Sequence, residues 1–245
     1  MSGLASPDGS AAGAAVLHEH RSLAGGWLRP AVFGAMDGLV SNLALIAGIV
    51  GGTSGDHSNE VVLAGLAGLV AGALSMAAGE YTSVASQSEH IRAEIEIERK
   101  EIAARPRAEE AELSQLYVAR GITPALADQL AAEIHADPVR ALEVHSREEL
   151  GVDPANLPSP LVAGASSFVS FALGAAVPLL PYALGRDNLW AALALSLTAL
   201  FLCGAVVSRL TTRSWWFGGL RQLVLGAVAA GLTYLIGDLV GMAIS

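Results

Sequence analysis

The sequence predicts an all-α membrane protein with five transmembrane helices and a helical insert between the second and the third. Three observations predict it. Of the 245 residues 53% are hydrophobic, with a mean hydropathy of +0.50, against roughly 45–50% in ordinary soluble domains. That excess is gathered into five blocks, residues 32–50, 61–81, 161–184, 189–207 and 220–240, each near the roughly 20 residues that cross about 30 Å of hydrocarbon as a helix. Between the second and third blocks, residues 86–158 lack strand-like alternation and carry helix start and stop signals instead.

Taken in order, residues 1–24 read as a disordered tail rich in Ala, Gly and Ser. Residues 1–16 contain no basic residue and no apolar core long enough for a signal peptide, and His18 and His20 read as tail residues. Residues 25–85 hold the first two membrane helices, residues 86–158 the insert, and residues 159–245 the last three helices. Arg21 and Arg29 precede the first block, eight of the 14 Lys and Arg lie in residues 86–158, and Arg209, Arg213 and Arg221 flank the loop between blocks four and five. The opposite loops, 51–60 and 185–188, hold only Arg186. This asymmetry predicts a multi-pass protein of the cell membrane with its N-terminus and insert in the cytoplasm and its C-terminus outside. Cys203 is the single cysteine, which leaves neither a disulfide nor a cysteine metal cluster and reads as a packing residue. Pro178 and Pro181 predict a kink near the outer end of the third block.

The insert concentrates charge. It holds 15 of the 23 acidic residues and eight basic ones, a balance of seven negative charges out of a net -9; that favours cations as partners and excludes nucleic acid. Pro106 ends its first helical arm, and Thr123-Pro124 and Asp137-Pro138 each read as an N-cap followed by proline at the first helical position. Three or four helices are expected. At about 100° per residue, Glu94, Glu98 and Glu101 fall within roughly 60° of one another, beside Ile91, Ile95 and Ile102, while Arg92, Glu96, Arg99 and Lys100 lie opposite. Glu109 and Glu112 share a face with Leu113 and Leu116 on the next helix. The prediction is that Glu98, Glu101, Glu109 and Glu112 face one another across Pro106, where their mutual repulsion calls for a divalent cation. Glutamate-rich helices are ordinarily solvated faces or i,i+4 ion pairs; the flanking isoleucines argue against that here. His145 and Glu149, four apart on a later helix, would add a borderline nitrogen and a further oxygen.

Inside the first block, Asp37 is costly in hydrocarbon and is by default a functional candidate, although a helix-cap role would also explain it. In the second block Ala64, Gly68, Gly72, Met76 and Glu80 recur every fourth residue, a small-residue seam ending in a thioether and a carboxylate. The seam predicts helix pairing between protomers through the first two membrane helices. Counting 1.5 Å per residue, Asp37 and Met76 each lie about 7 Å from the cytoplasmic end of their blocks, so the two are expected to meet. A carboxylate beside a thioether suits Fe2+ better than Ca2+ or Mg2+, although an intramembrane Met is more often simply packing.

With these residues in place the chain resembles the vacuolar iron transporter family of iron and manganese exporters. The resemblance covers about residues 18–245 and rests on Asp37-Gly38-Leu39, Gly72-Ala73-Leu74-Ser75-Met76, the acidic insert, and the run from Pro178 to Tyr182. It implies a five-span protomer in a homodimer, a path at the dimer interface, and exchange of Fe2+ for protons. It also implies that Asp37 and Met76 are ligands in the path and that Glu98, Glu101, Glu109, Glu112 and Glu149 belong to the metal-binding insert. Departures accompany it: Gly68 and Pro30 stand where plant members place path carboxylates, His145-Ser146 where they have paired methionines, and Glu80 where they carry glycine. The function expected is export of Fe2+, with Mn2+ beside it, by proton antiport. No cofactor and no enzymatic activity are expected; the partners are lipid, divalent cations, protons and a second copy of the chain. The alternatives are a membrane-anchored iron-storage or ferroxidase protein, or a metal sensor. A di-iron ferroxidase needs Glu-x-x-His on two helices, a pattern absent from residues 86–158.

Overall fold

The computed structural model describes residues 26–54, 58–209 and 213–244; the tail at residues 1–24, with His18 and His20, lies outside them. The described elements are eight helices and no strand. They are α1 (Leu28–Gly52), α2 (Ser58–Ala104), α3 (Pro106–Ala119), α4 (Pro124–His135), α5 (Pro138–Glu148), α6 (Pro160–Ala183), α7 (Leu189–Ser208) and α8 (Trp215–Ile244). Five of them, α1, α2, α6, α7 and α8, are long and apolar enough to cross a membrane. The protein is an all-α, multi-pass membrane protein.

Helix starts follow local chemistry. Asn188 accepts a hydrogen bond from the Ala191 amide at 3.1 Å to open α7, and Asp137 accepts from Val139 at 3.0 Å to open α5. Thr123 stands at the N-cap of α4, as its sequence context predicts, yet its hydroxyl makes no capping bond; Pro124 at the first helical position supplies the start. Pro106 separates α2 from α3. Pro178 and Pro181 both lie within α6, which continues helically through them.

The membrane half is built around α1, which packs chiefly on α6 and α8, while α2 leans on α6 and α7 on α8. Close approach depends on absent side chains. A Cβ on Gly38 would stand 2.2 Å from the Phe171 carbonyl oxygen, and one on Gly174 would stand 2.3 Å from that of Ala35. The two backbones touch, as small residues allow between membrane helices. One expectation about the small-residue seam changes here. A Cβ on Gly72 would meet the Phe171 ring at 2.3 Å and one on Gly68 would meet Leu45 at 2.8 Å, so both glycines are occupied within the protomer, by α6 and α1, and owe their size to that packing.

The α2 helix, 47 residues long, leaves the membrane half without a break and becomes the first helix of the insert. There α2, α3, α4 and α5 enclose a core of Ile102, Leu113, Tyr117, Ala127, Ala131, Ile134 and Ala141. The insert returns to the membrane half beside its own departure point, where Ser88 donates to the Pro158 carbonyl at 3.0 Å. Outward-facing charges pair on the surface, Glu96 with Arg99 at 2.9 Å and Arg147 with Glu143 at 2.7 Å; such exposed pairs contribute about 0–1 kcal/mol each.

The Gly38 contact gives a direct test. Gly38→Leu should destabilise the detergent-solubilised protein by at least the roughly 1–3 kcal/mol typical of overpacking, because the obstacle is backbone that cannot move aside. Gly79→Ala, where nothing lies within 4 Å of the added methyl, should leave the thermal midpoint unchanged or raise it. Equal midpoints for the two variants would refute the backbone contact.

Candidate metal centre

Two places gather chemistry. The first is in the insert. Glu98 reaches it from α2, Glu109 from the first turn of α3, and His145 from α5; they are 8%, 4% and 0% exposed. One ligand atom from each lies within 4.8 Å of the others, close enough to share one cation. The His145 Nδ1 is 2.9 Å from Glu98 Oε1 and 2.7 Å from Glu149 Oε1, while its Nε2 faces the His135 Nε2 at 3.0 Å. The Nδ1–H can serve only one carboxylate well, and Glu98 Oε1 is left buried without a hydrogen bond. A buried carboxylate oxygen in that state is a standing cost, and a cation replacing the imidazole proton would relieve it.

The electrostatics point the same way. Burial pushes the Glu98 carboxyl up to about 7, with the charges of Glu149, Glu109 and Glu101 adding to it and His145 opposing. Glu109 is also raised, first by burial and then by Glu112 and Glu101, with His145 and Arg105 opposing. Burial and the neighbouring His145 hold the His135 imidazole below its ordinary value, against the pull of Glu110.

The expected quartet therefore divides. Glu98 and Glu109 come together and His145 and Glu149 join them. Glu101 turns to Arg105, with 2.7 Å between Oε1 and the guanidinium, and Glu112 is exposed on α3; both act on the pair through charge. Glu94 is half-buried on α2, one turn before Glu98, and is not one of the three clustered groups. His135 is the residue that sequence reasoning missed. It closes a stripe at spacing four, Ala127, Ala131, His135, whose two alanines are fully buried, and that stripe was visible in the sequence.

The second place is a groove of about 380 Å3 between α1, α2 and α6, lined by Asp37, Ser41, Asn42, Gly68, Ser75, Met76 and Phe171, among others. Asp37 and Met76, expected to meet, line the same cavity; both are half-buried. Glu80 follows one turn after Met76 on α2, half-buried, and is not part of the groove lining. A roomier cavity of about 1020 Å3 between α1, α7 and α8 is bounded mainly by apolar side chains such as Leu193, Leu197 and Trp190. Cation chemistry favours the smaller groove.

Residues 28–238 match the VIT family. The chain belongs to that family. Among its relatives is a protein of Acanthamoeba castellanii named vacuolar iron transporter, 37% identical over 231 residues that cover 90% of this chain and 82% of the relative. Another is vacuolar iron transporter 1 of Arabidopsis thaliana, 31% identical over 228 residues that cover 91% of this chain and 89% of the relative. A third, vacuolar iron transporter homolog 1 of rice, is 34% identical over 227 residues, covering 88% and 75%. Membership of this family makes the chain a transport protein and not an enzyme.

Glu98 yields a pH prediction for the VIT-family chain. Its carboxyl titrates at about 7 in the folded protein against an ordinary 4.5, so the stability it lends is fully present below the lower value and is lost as pH rises through the upper one. The thermal midpoint of the metal-free protein, taken relative to that of Glu98→Gln, should fall across this window. Fe2+ affinity should rise over the same window, since the proton must leave before the cation binds. A midpoint difference that stays flat between the two values would contradict the burial of this carboxyl.

Proposed function

We propose that this chain carries Fe2+, and Mn2+ by the same route, out of the cytosol across a membrane in exchange for protons, working as a homodimer. One observation carries the reading: a single unbroken helix, α2, bears Met76 in the membrane groove and Glu98 in the buried cluster of the insert. The 22 helical steps from Met76 to Glu98 span about 33 Å at 1.5 Å per residue. The cluster gathers cations beside the mouth of the path, and the groove passes them on. The names of the Acanthamoeba and Arabidopsis relatives, both vacuolar iron transporters, support iron as the cargo.

Direction and coupling follow from charge. The Lys and Arg asymmetry supports an insert in the cytoplasm, with loading inside and release outside. Glu98 and Glu109 bind the cation with His145 and Glu149, and Glu101, Glu112 and Glu94 deepen the negative field around them. A carboxyl titrating near neutral pH supports exchange, because an arriving cation displaces its proton. Asp37 and Met76 are the ligands of the path, and Glu80 is a carboxylate at its cytoplasmic mouth.

The homodimer is supported by what the protomer leaves uncovered. The groove holding Asp37 is open at the side of the protomer, and α2 turns Leu63, Leu66, Val70 and Leu74 outward. A carboxylate facing lipid is costly; a second copy packed along α1 and α2 would enclose it.

Proteoliposomes holding the purified chain test this reading. Fe2+ flux should require a pH gradient, and Asp37→Asn, which keeps shape and removes charge, should cut flux by at least about tenfold, equivalent to 1.4 kcal/mol, while Fe2+ binding by the insert persists. His145→Ala should weaken that binding and leave Asp37-dependent flux measurable at saturating metal. Wild-type flux in Asp37→Asn would reduce the residue to a structural role.

A further inference from the structure

We infer that Asn42 is a cation ligand of the membrane path, its side-chain oxygen replacing one hydration water of the passing dication; this rests on the groove being that path. Asn42 is 3% exposed and lies about 21 Å along α1 from its first residue at 1.5 Å per residue, near the middle of the span. Its amide nitrogen donates to the Ala175 carbonyl of α6 at 2.6 Å. That bond fixes which end of the amide is which, since a carbonyl oxygen can only accept.

With its nitrogen held by α6, the Oδ1 of Asn42 points the other way. It has no hydrogen-bond partner although it is buried. It faces Gly68 of α2, where a Cβ would stand 3.3 Å from it, and Asn42 and Gly68 both line the cavity that holds Asp37 and Met76. A buried amide oxygen without a partner is an unusual state in a folded protein, and it is most costly where lipid excludes water. Here the oxygen borders the groove that holds a carboxylate and a thioether. It is the same donor type that coordinates cations in selectivity filters and broken helices.

Neutrality is the useful property. Asp37 supplies charge to draw the cation in. A carbonyl oxygen replaces water and adds no net charge, so the ion is dehydrated in part and still released. The site takes a divalent cation that accepts oxygen and thioether together, the class to which Fe2+ belongs.

The test is flux of ascorbate-reduced Fe2+, and of Mn2+ in parallel, into proteoliposomes holding the full chain. Asn42→Leu, of similar volume, should raise KM for Fe2+ about tenfold, the factor equivalent to 1.4 kcal/mol, with turnover at saturation largely kept. Gly68→Ala, made together with Leu45→Ala because the new methyl would otherwise press Leu45 at 2.8 Å, leaves the bond to Ala175 intact and lays a methyl 3.3 Å from Oδ1, so it should raise KM over that of Leu45→Ala alone. Asn42→Asp keeps an oxygen in place and adds charge; it should lower KM and slow turnover. A strap that merely ties α1 to α6 predicts otherwise: Gly68→Ala would keep the KM of Leu45→Ala alone, and Asn42→Asp would not lower the wild-type KM. Either result overturns the assignment, and the Gly68→Ala arm stands even if Asn42→Leu does not fold. Asp37→Asn separates the two levels, since wild-type flux in that protein would sink the path itself whatever Asn42 does.

Discussion

The continuity of α2 is the constraint on which the rest of the structure depends. From Ser58 to Ala104 the helix contains no proline, and every backbone amide after the first turn is committed to the carbonyl four residues earlier. Lipid demands this along the membrane half, where an open backbone group has no water to fall back on. Beyond the membrane nothing demands it, yet the helix goes on, and so the orientation of Glu98 is set by that of Met76. A flexible joint at the boundary would let the insert turn freely and would uncouple the buried cluster from the groove. The bond from Ser88 to Pro158 closes the other side of the connection, so that the insert is held at both its departure and its return.

A buried acidic cluster is stable only if its repulsion is offset, and the insert offsets it in three ways. The hydrocarbon of Ile95, Ile102 and Leu113 fixes the helices that carry Glu98 and Glu109, so the carboxylates cannot swing apart. His145 stands between Glu98 and Glu149, its Nδ1 hydrogen-bonded to Glu149 and 2.9 Å from Glu98 Oε1. The carboxyl of Glu98 also retains its proton up to about 7. Each device is provisional in the sense that a cation does the same work better: it carries two charges where the imidazole carries at most one, and it can satisfy the buried Glu98 oxygen that the Nδ1 proton leaves unmatched. Under the proposed function the cluster is a set of compromises that cation binding would resolve, which is the electrostatic meaning of preorganisation for a cation.

Much of this could be read from the sequence, and the reasons for what could not are specific. The five membrane-crossing helices were legible because helix rise against hydrocarbon thickness leaves little freedom, and the inward turn of Glu98 because isoleucines flank it at helical spacing. The pairing of Glu98 with Glu109 followed from the turn at Pro106. The dispersal of Glu101 and Glu112 did not, because whether a carboxylate faces a neighbour or an arginine four residues on is decided by a side-chain rotation that periodicity does not encode. The seam of Gly68 and Gly72 announced close packing but not its partner; small residues permit approach by any helix, and here Phe171 and Leu45 take the space. His135 was hidden because its contact with His145 joins two helices whose crossing only the folded insert defines.

The two donor sets, considered together, bear on which cations the chain prefers. Ca2+ is held by six to eight hard oxygens and Mg2+ by an octahedron of oxygens and water. Neither set fits that pattern: the insert mixes carboxylates with an imidazole, and the groove mixes a carboxylate and an amide oxygen with a thioether. Each replaces an oxygen with a softer atom, in different elements and by different side chains. On the route proposed above, a cation that gains from the nitrogen in the insert would also gain from the sulfur in the groove, so discrimination against the abundant hard dications would be applied twice. Factors multiply when the sites act in series, and a modest preference at each, one too small to make either site a trap, becomes a large preference for the whole passage. Weak ligands at both places are therefore compatible with selectivity, and they are what release on the far side requires.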